Sequence, residues 1–104
     1  MIDTVLSKHG VPIRLTDERW AHITEEHAEL AGLRRDVLAT VDEPARILAG
    51  FAEERMALRE LEAGKFLVVV YRETGHDGFI ITAFITRRSR SLERREVIWT
   101  SETS

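Results

Sequence analysis

Two long apolar segments near the middle of the chain dominate its hydrophobic pattern. Phe66–Arg72 is an almost unbroken run of Phe, Leu, Val and Tyr, and Phe79–Arg88 is rich in Ile, Phe and Thr. These residue types favour pleated, half-buried strands. Because Gly75 and Gly78 lie between the two segments, the pattern predicts an antiparallel pair joined by the tight turn Thr74–Gly78.

A helix with an apolar stripe on one side is predicted upstream of these strands. Thr16 is typical of an N-cap, and the acidic residues after it suit the positive end of the helix dipole. The helix should extend from about residue 17 to about residue 29. Of its two histidines, His27 faces protein and His22 lies well outside the stripe. At about 100° per residue, the inner stripe comprises Trp20, Ile23, His27 and Leu30.

A second helix and several shorter strands are predicted around this framework. Gly32 ends the first helix, and the second begins near Leu33. Pro44 stops it, because a residue before proline is pushed out of helical geometry. β-type composition and alternation predict further strands at residues 11–15, 45–51, 55–61 and 95–100.

Length and element order together predict the fold class. The 104 residues are enough for one domain with one core. We expect a single α+β domain over residues 1–104, with two N-terminal helices packed on one face of a roughly five-stranded antiparallel sheet. Residues 1–10 are expected to form a loosely held arm and residues 101–104 a frayed tail. Two helices cover only one sheet face, so the apolar central strands favour a homodimer or a small protein partner.

Composition narrows the class of protein. The chain has no cysteine, which excludes disulfides and thiol chemistry and suits a reducing cytoplasm. No apolar run approaches the roughly 20 residues of a membrane helix, so no membrane segment is predicted. The net charge is −3, yet residues 87–95 hold five arginines and one glutamate. That run is either a solvated loop or a phosphate-facing patch. The residues predicted to bind RNA are three arginines of this run, Arg87, Arg88 and Arg90, together with Arg55.

The candidate chemistry needs no metal or other cofactor. His22 and His27 are five residues apart, about 140° around a helix, whereas chelation from one helix requires a spacing of four. A lone histidine on an apolar stripe is more often structural, but one near a helix end can reach a cleft. In metal-free RNA cleavage a base takes the 2′-OH proton, cations stabilise the phosphorane and an acid protonates the leaving oxygen. The chain offers this inventory in His27, Arg59, Arg72, Tyr71 and Thr86.

Over residues 13–99 the chain resembles a prokaryotic family of small phage- and toxin-associated proteins. The similar motifs are RLTDERWAHITEEHAEL, DVLATVDEPARILAG, ALRELEAGKFLVVVYRE, DGFIITAFITRR and RREVIW. This family is grouped with the barnase–EndoU–colicin–RelE-like nucleases. The resemblance implies a barnase/RelE-like sheet with RNA cleavage on its open side. The positions it implies for the site are His27, Arg59, Arg72 and Thr86, followed by Tyr71 and Arg87.

One local departure from that family affects the first helix. The family usually has His-Pro-Glu where this chain has His27-Ala28-Glu29. Without the proline, the histidine keeps its place and the helix is expected to continue.

Three functions are compatible with the sequence. The first is a metal-independent endoribonuclease, either the toxin of a toxin–antitoxin pair or a phage-related nuclease. The second is a non-catalytic RNA- or protein-binding module, which salt-dependent RNA binding without cleavage would select. The third is a structural homodimer, which dimerisation without affinity for nucleic acid would select.

Overall fold

One mixed sheet of seven strands organises residues 1–101, the part of the chain that this computed structural model describes. Two α-helices, a 3-10 turn and a short third helix connect its strands. In chain order the elements are β1 (Ile2–Leu6), β2 (Pro12–Thr16), α1 (Asp17–Glu26), the 3-10 turn (Ala28–Leu30), α2 (Arg34–Asp42), β3 (Arg46–Ala49), β4 (Glu54–Glu62), β5 (Lys65–Thr74), β6 (Asp77–Thr86), α3 (Ser89–Glu93) and β7 (Val97–Thr100).

The predicted central strand pair is confirmed. The strand order is β1-β2-β6-β5-β4-β3-β7, and β5 and β6 pair antiparallel at its centre, with Arg72 opposite Phe79. Their tight turn is closed by the hydroxyl of Thr74, which donates to the carbonyl of Asp77 at 2.9 Å. The second helix and the predicted strands on either side of this pair also form close to their expected boundaries.

The predicted architecture of two N-terminal helices on a roughly five-stranded antiparallel sheet is wrong. Two strands precede the helices, the sheet has seven strands, and β2 pairs parallel with β6. The first ten residues do not form a loose arm, because β1 pairs antiparallel with β2. Only Asp3 and Val5 of β1 turn inward, while Ile2 and Leu6 stay exposed. A strand that buries so little leaves a weak hydrophobic pattern in the sequence.

The turn between β1 and β2 reaches strands that lie far from β1 in the sheet order. The Nζ atom of Lys8 lies 5.4 Å from the ring centroid of Trp99 on β7, at the opposite edge of the sheet. Nδ1 of His9 lies 2.9 Å from Oε2 of Glu73 on β5. Through these contacts, the turn of the N-terminal hairpin is attached to β5 and β7 on the helix side of the sheet.

The first helix starts as predicted and ends earlier. The hydroxyl of Thr16 accepts the backbone N–H of Arg19 at 3.1 Å, which confirms the N-cap. The helix stops at Glu26, because His27 leaves helical geometry with φ −131° and ψ 75°. The 3-10 turn that follows directs Leu30 into the core, where it is fully buried.

The two faces of the sheet are covered differently. The helix side carries the larger core, in which α1 and α2 pack on the sheet through Ile23, Val37 and Val41. The opposite face carries a smaller apolar cluster that includes Met56, Leu58, Val68 and Val70. Leu92 of α3 covers part of this second face. α3 of the same chain therefore covers part of the face for which the sequence predicted cover by another chain.

The described chain is compact, with a Cα radius of gyration of 12.8 Å, close to the ~13 Å typical of a 100-residue domain. At its end, the backbone N–H of Ser101 donates to the carbonyl of Ala45 at 3.0 Å. The remainder of the predicted tail, residues 102–104, lies outside the described residues.

Candidate functional site

Four exposed arginines surround one cavity at the end of β6. The cavity has a volume of about 490 Å³, and no acidic side chain is among the residues that line it. We call this surface the arginine cavity; it is lined by Arg87, Arg88, Ser89, Arg90, Ser91 and Arg94.

Local hydrogen bonds and one apolar anchor shape this cavity. The backbone N–H of Arg88 donates to the hydroxyl of Thr86 at 3.0 Å, which turns the chain out of β6. The hydroxyl of Ser91 donates to the carbonyl of Arg88 at 3.0 Å. Leu92 is 3% exposed and fixes α3 on the sheet. With the only apolar side chain of the segment buried, its arginines are left to face outward.

Most of the cationic charge in the arginine cavity is not neutralised by neighbours. Nη2 of Arg87 lies 3.2 Å from Oε1 of Glu62. Within the described chain, Arg88, Arg90 and Arg94 form no ion pair. Three of the four residues predicted to bind RNA are thus brought together, and the fourth, Arg55, lies elsewhere on the sheet.

His27 lies near the same end of β6. Its ring centroid is 6.3 Å from that of Phe84, and its side chain is 31% exposed. Phe84 precedes Thr86 by two residues and so projects from the same face of the strand. Nδ1 of His27 lies 3.7 Å from Oε2 of Glu29, too far for a hydrogen bond. His27, Thr86 and the arginine cavity therefore share one end of the sheet.

Arg72 lies at the other end of the sheet from this group, whereas Arg59 shares the end but is directed toward α2. Arg59 projects on the helix side of β4, where its Nη1 lies 3.8 Å from Oδ1 of Asp36 on α2. Thr86 lies opposite Phe66 at one end of β5, whereas Arg72 lies six residues further along that strand. At roughly 3.3 Å per residue, about 20 Å separates Arg72 from Thr86. The predicted catalytic residues are therefore divided between the two ends of the sheet.

Tyr71 is enclosed in the helix-side core and has 0% exposure. Burial raises the pKa of its hydroxyl to about 12, with a further increase from the Glu73 carboxylate and a decrease from Arg55. The hydroxyl therefore stays protonated at neutral pH. No hydrogen-bond partner for it exists among the described residues.

Tyr71 belongs to a second group of polar side chains, which was not predicted from the sequence. We call this group the Glu73 cluster, defined as His9, Arg55, Tyr71 and Glu73. Oε2 of Glu73 lies 2.9 Å from Nδ1 of His9 and 3.9 Å from Nε of Arg55, and the Glu73 side chain is only 8% exposed. Tyr71 and Glu73 lie on one face of β5 because side chains alternate along a strand. The sequence alone therefore predicts that these two residues are neighbours. The contact of His9 with Glu73 joins residues 64 positions apart, so no local sequence pattern predicts it.

Scans against family models, curated proteins and solved structures find no significant match to this chain. Residues 1–101 contain no group of three or more His, Asp or Glu side chains that could hold a metal ion. None of their helices is long and apolar enough to cross a membrane. What the protein does must therefore be argued from the geometry of its own residues.

Proposed function

We propose that this protein binds RNA through the arginine cavity and cleaves it as a metal-independent endoribonuclease in the cytoplasm. The observation that carries the proposal is the arginine cavity itself, where three exposed guanidinium groups lack ion-pair partners in the described chain. Guanidinium groups bind phosphate oxygens through paired hydrogen bonds. Four of them around one concave surface match the repeating charge of an RNA backbone, although the chain as a whole carries a net charge of −3.

The cleavage step is assigned to His27. The histidine is partly exposed near the end of β6 that leads into the arginine cavity, so a bound phosphodiester can approach its ring. His27 takes the proton of the 2′-OH, the 2′ oxygen attacks phosphorus and the 5′ oxygen leaves with a proton from solvent. Arginines stabilise the charge that develops on the phosphorane. The products are a 2′,3′-cyclic phosphate and a 5′-hydroxyl.

A non-catalytic RNA-binding protein is the second candidate. It is favoured by the position of Arg72 and Tyr71 at the other end of the sheet from Thr86 and by the contact of Arg59 with Asp36, which leave few groups for general acid catalysis near the arginine cavity. The two candidates share the binding surface and differ only in turnover.

Binding and cleavage are tested on one labelled RNA in the presence of EDTA. Fluorescence anisotropy measures the affinity of the wild type, of a triple alanine variant at Arg88, Arg90 and Arg94, and of Arg35→Ala. Arg35 is an exposed arginine on α2 and serves as the matched control. We expect the triple variant to lose binding and Arg35→Ala to retain it. Equal affinities for all three proteins would contradict the binding proposal.

Gel analysis of the same RNA decides between the two candidates. Fragments with 2′,3′-cyclic phosphate ends support the endoribonuclease. Binding without fragments selects the non-catalytic candidate.

A protein partner also belongs to the proposal, either an antitoxin-like small protein or a second copy of this chain. Phe51 is 81% exposed and Val97 is 50% exposed, and such apolar side chains are available for a partner. Sedimentation at micromolar concentration tests self-association, and a Phe51→Ser variant should reduce it. A monomer under these conditions would contradict the homodimer.

A further inference from the structure

Three polar atoms of the Glu73 cluster are enclosed with no hydrogen-bond partner among residues 1–101. They are Nη1 of Arg55, the hydroxyl of Tyr71 and Oε1 of Glu73. Tyr71 lies opposite Arg55 on the neighbouring strand, and Glu73 follows it on the same face. Folded proteins pair the large majority of buried polar atoms, so a concentration of unpaired ones in one place requires an explanation.

The Glu73 cluster borders a cavity of about 490 Å³, within the ~300–1,000 Å³ range of small-molecule sites. The cavity lies between the β3–β4 loop and the β5–β6 turn. Ala52 in the loop has a φ of 56°, a conformation that side chains other than glycine adopt rarely and that recurs at ligand sites. The lining residues are Ala49, Ala52, Glu53, Glu54, Arg55, Glu73, Thr74, Gly75 and Ile98.

The chemistry of the lining selects a neutral ligand with a donor beside an acceptor. Oε2 of Glu73 is engaged by His9, which leaves Oε1 to accept a hydrogen bond. Nη1 of Arg55 requires an acceptor. The charges of Arg55 and Glu73 offset each other, and Glu53 and Glu54 add negative charge at the cavity. A phosphate is disfavoured there, whereas the edge of a nucleobase presents donors and acceptors side by side.

We propose that this cavity binds one nucleobase of the RNA, through a base N–H to Oε1 of Glu73 and a base acceptor to Nη1 of Arg55. His9 is a positioning residue, because its contact with Oε2 fixes the carboxylate. The proposal rests on the proposed function, since RNA supplies the base. The arginine cavity then binds phosphate and the Glu73 cluster reads a base, at separate places on the sheet.

The test uses the full chain labelled with ¹⁵N and uncharged nucleosides, namely adenosine, cytidine and uridine, with ribose 5-phosphate as the probe without a base. At least one nucleoside should shift the amide signals of Arg55, Glu73 and Ala52 in a saturable manner. Ribose 5-phosphate should leave those signals in place. No saturable shift with any nucleoside, or equal shifts with ribose 5-phosphate, would overturn the base site.

Two variants keep the outcome independent of folding. Glu73→Gln retains the shape but alters the acceptor, and it should weaken nucleoside binding by about tenfold. Gly75→Phe places a ring beside the cavity, at a position where an added Cβ meets no atom within 4 Å and φ is not left-handed. It should abolish the shifts while thermal melting stays near that of the wild type. A folded Gly75→Phe protein that still binds nucleoside would contradict the site.

An arginine-cavity variant separates this inference from the proposed function. Arg88→Ala should bind nucleoside as the wild type does and bind RNA more weakly. If RNA binding is retained but nucleosides leave the Glu73 cluster unperturbed, the base site alone fails. If the wild type binds no RNA, the proposed function fails and a nucleoside shift would stand as a separate small-molecule site.

Discussion

The arginine cavity and the Glu73 cluster use charge in opposite ways. Arg87, Arg88, Arg90 and Arg94 all stay exposed, so their charges remain hydrated after folding and available to a ligand. Glu73 is almost enclosed, where its carboxylate contacts His9 and lies 3.9 Å from the Arg55 guanidinium that offsets its charge. An exposed charge contributes little to stability, whereas an enclosed one is costly when its partners are lost. Substitutions in the two regions should therefore affect different measurements.

The largest expected effect is on turnover, and it depends on where in the protein cleavage occurs. If cleavage occurs beside the arginine cavity, His27→Ala should reduce turnover by about 10²–10⁴-fold, the usual contribution of a general acid or base. His9→Ala, in the Glu73 cluster, should change turnover far less. Initial rates on one RNA measure both.

His22→Ala is the control for this comparison, because His22 lies exposed on α1, where its Nε2 is 3.1 Å from Oε1 of Glu26. Equal rates for His22→Ala and His27→Ala would refute the assignment. So would a His27→Ala protein that loses activity only because it no longer folds.

The next effect is on stability. Glu73→Ala should lower the free energy of unfolding by about 2–3 kcal/mol, because it removes the charged acceptor that His9 contacts and leaves the partly buried charge of Arg55 without its counter-charge. Arg88→Ala should change it by less than about 0.5 kcal/mol, as expected for an exposed side chain. Urea titrations of both variants measure the difference. Similar losses would show that the two regions do not differ as described.

A smaller effect is expected on RNA affinity, and its size should differ between the arginines of the arginine cavity. Glu62 already partly neutralises Arg87, so Arg94→Ala should weaken RNA binding more than Arg87→Ala does. We expect about 1 kcal/mol for Arg94→Ala, roughly fivefold in Kd. Glu62→Ala should strengthen binding, because it frees Arg87. Anisotropy titrations at fixed salt give the order, and a weaker complex with Glu62→Ala would contradict it.

The smallest effect is expected from Tyr71→Phe. At neutral pH it should change stability by less than about 0.5 kcal/mol, because the lost hydroxyl has no hydrogen-bond partner in the described chain. At high pH the two proteins should diverge. The folded pKa of Tyr71 is raised to about 12 from 10.0, mainly by burial, so its contribution is complete below pH 10 and is lost as pH rises toward 12.

Urea titrations of the wild type and Tyr71→Phe at pH 8 and at pH 11 measure this divergence. The wild type should lose more stability between the two pH values than Tyr71→Phe does. Parallel losses would show that Tyr71 ionises as freely in the folded protein as in the unfolded chain.

The sequence predicted those features whose signals are local. The composition of Phe66–Arg72 and Phe79–Arg88 indicated the central pair, and Thr16 with its following acidic residues indicated the start of α1. The charge of residues 87–95 alone predicts an exposed, arginine-rich surface, and its contact with phosphate stays a prediction. In each case a few neighbouring residues contain the whole signal.

Other features depend on contacts between distant parts of the chain. β1 buries only one side of a short strand. β2 and its parallel neighbour β6 meet over two residue pairs, Ile13 with Gly78 and Arg14 with Phe79. α3 has a single apolar anchor, Leu92, in a charged segment. The contact of His9 with Glu73 joins residues 64 positions apart. None of these leaves a periodic pattern in the sequence, so the seven-stranded mixed sheet and the assembly of the Glu73 cluster could not be predicted.

Salt dependence of RNA binding tests the central claim most directly. For single strands the slope of log K against log salt is about −0.7 per phosphate contact. If the arginine cavity holds the backbone, the triple alanine variant at Arg88, Arg90 and Arg94 should have a slope shallower than that of the wild type by about 2, and Arg35→Ala should keep the wild-type slope. Identical slopes for the wild type and the triple variant would contradict the account.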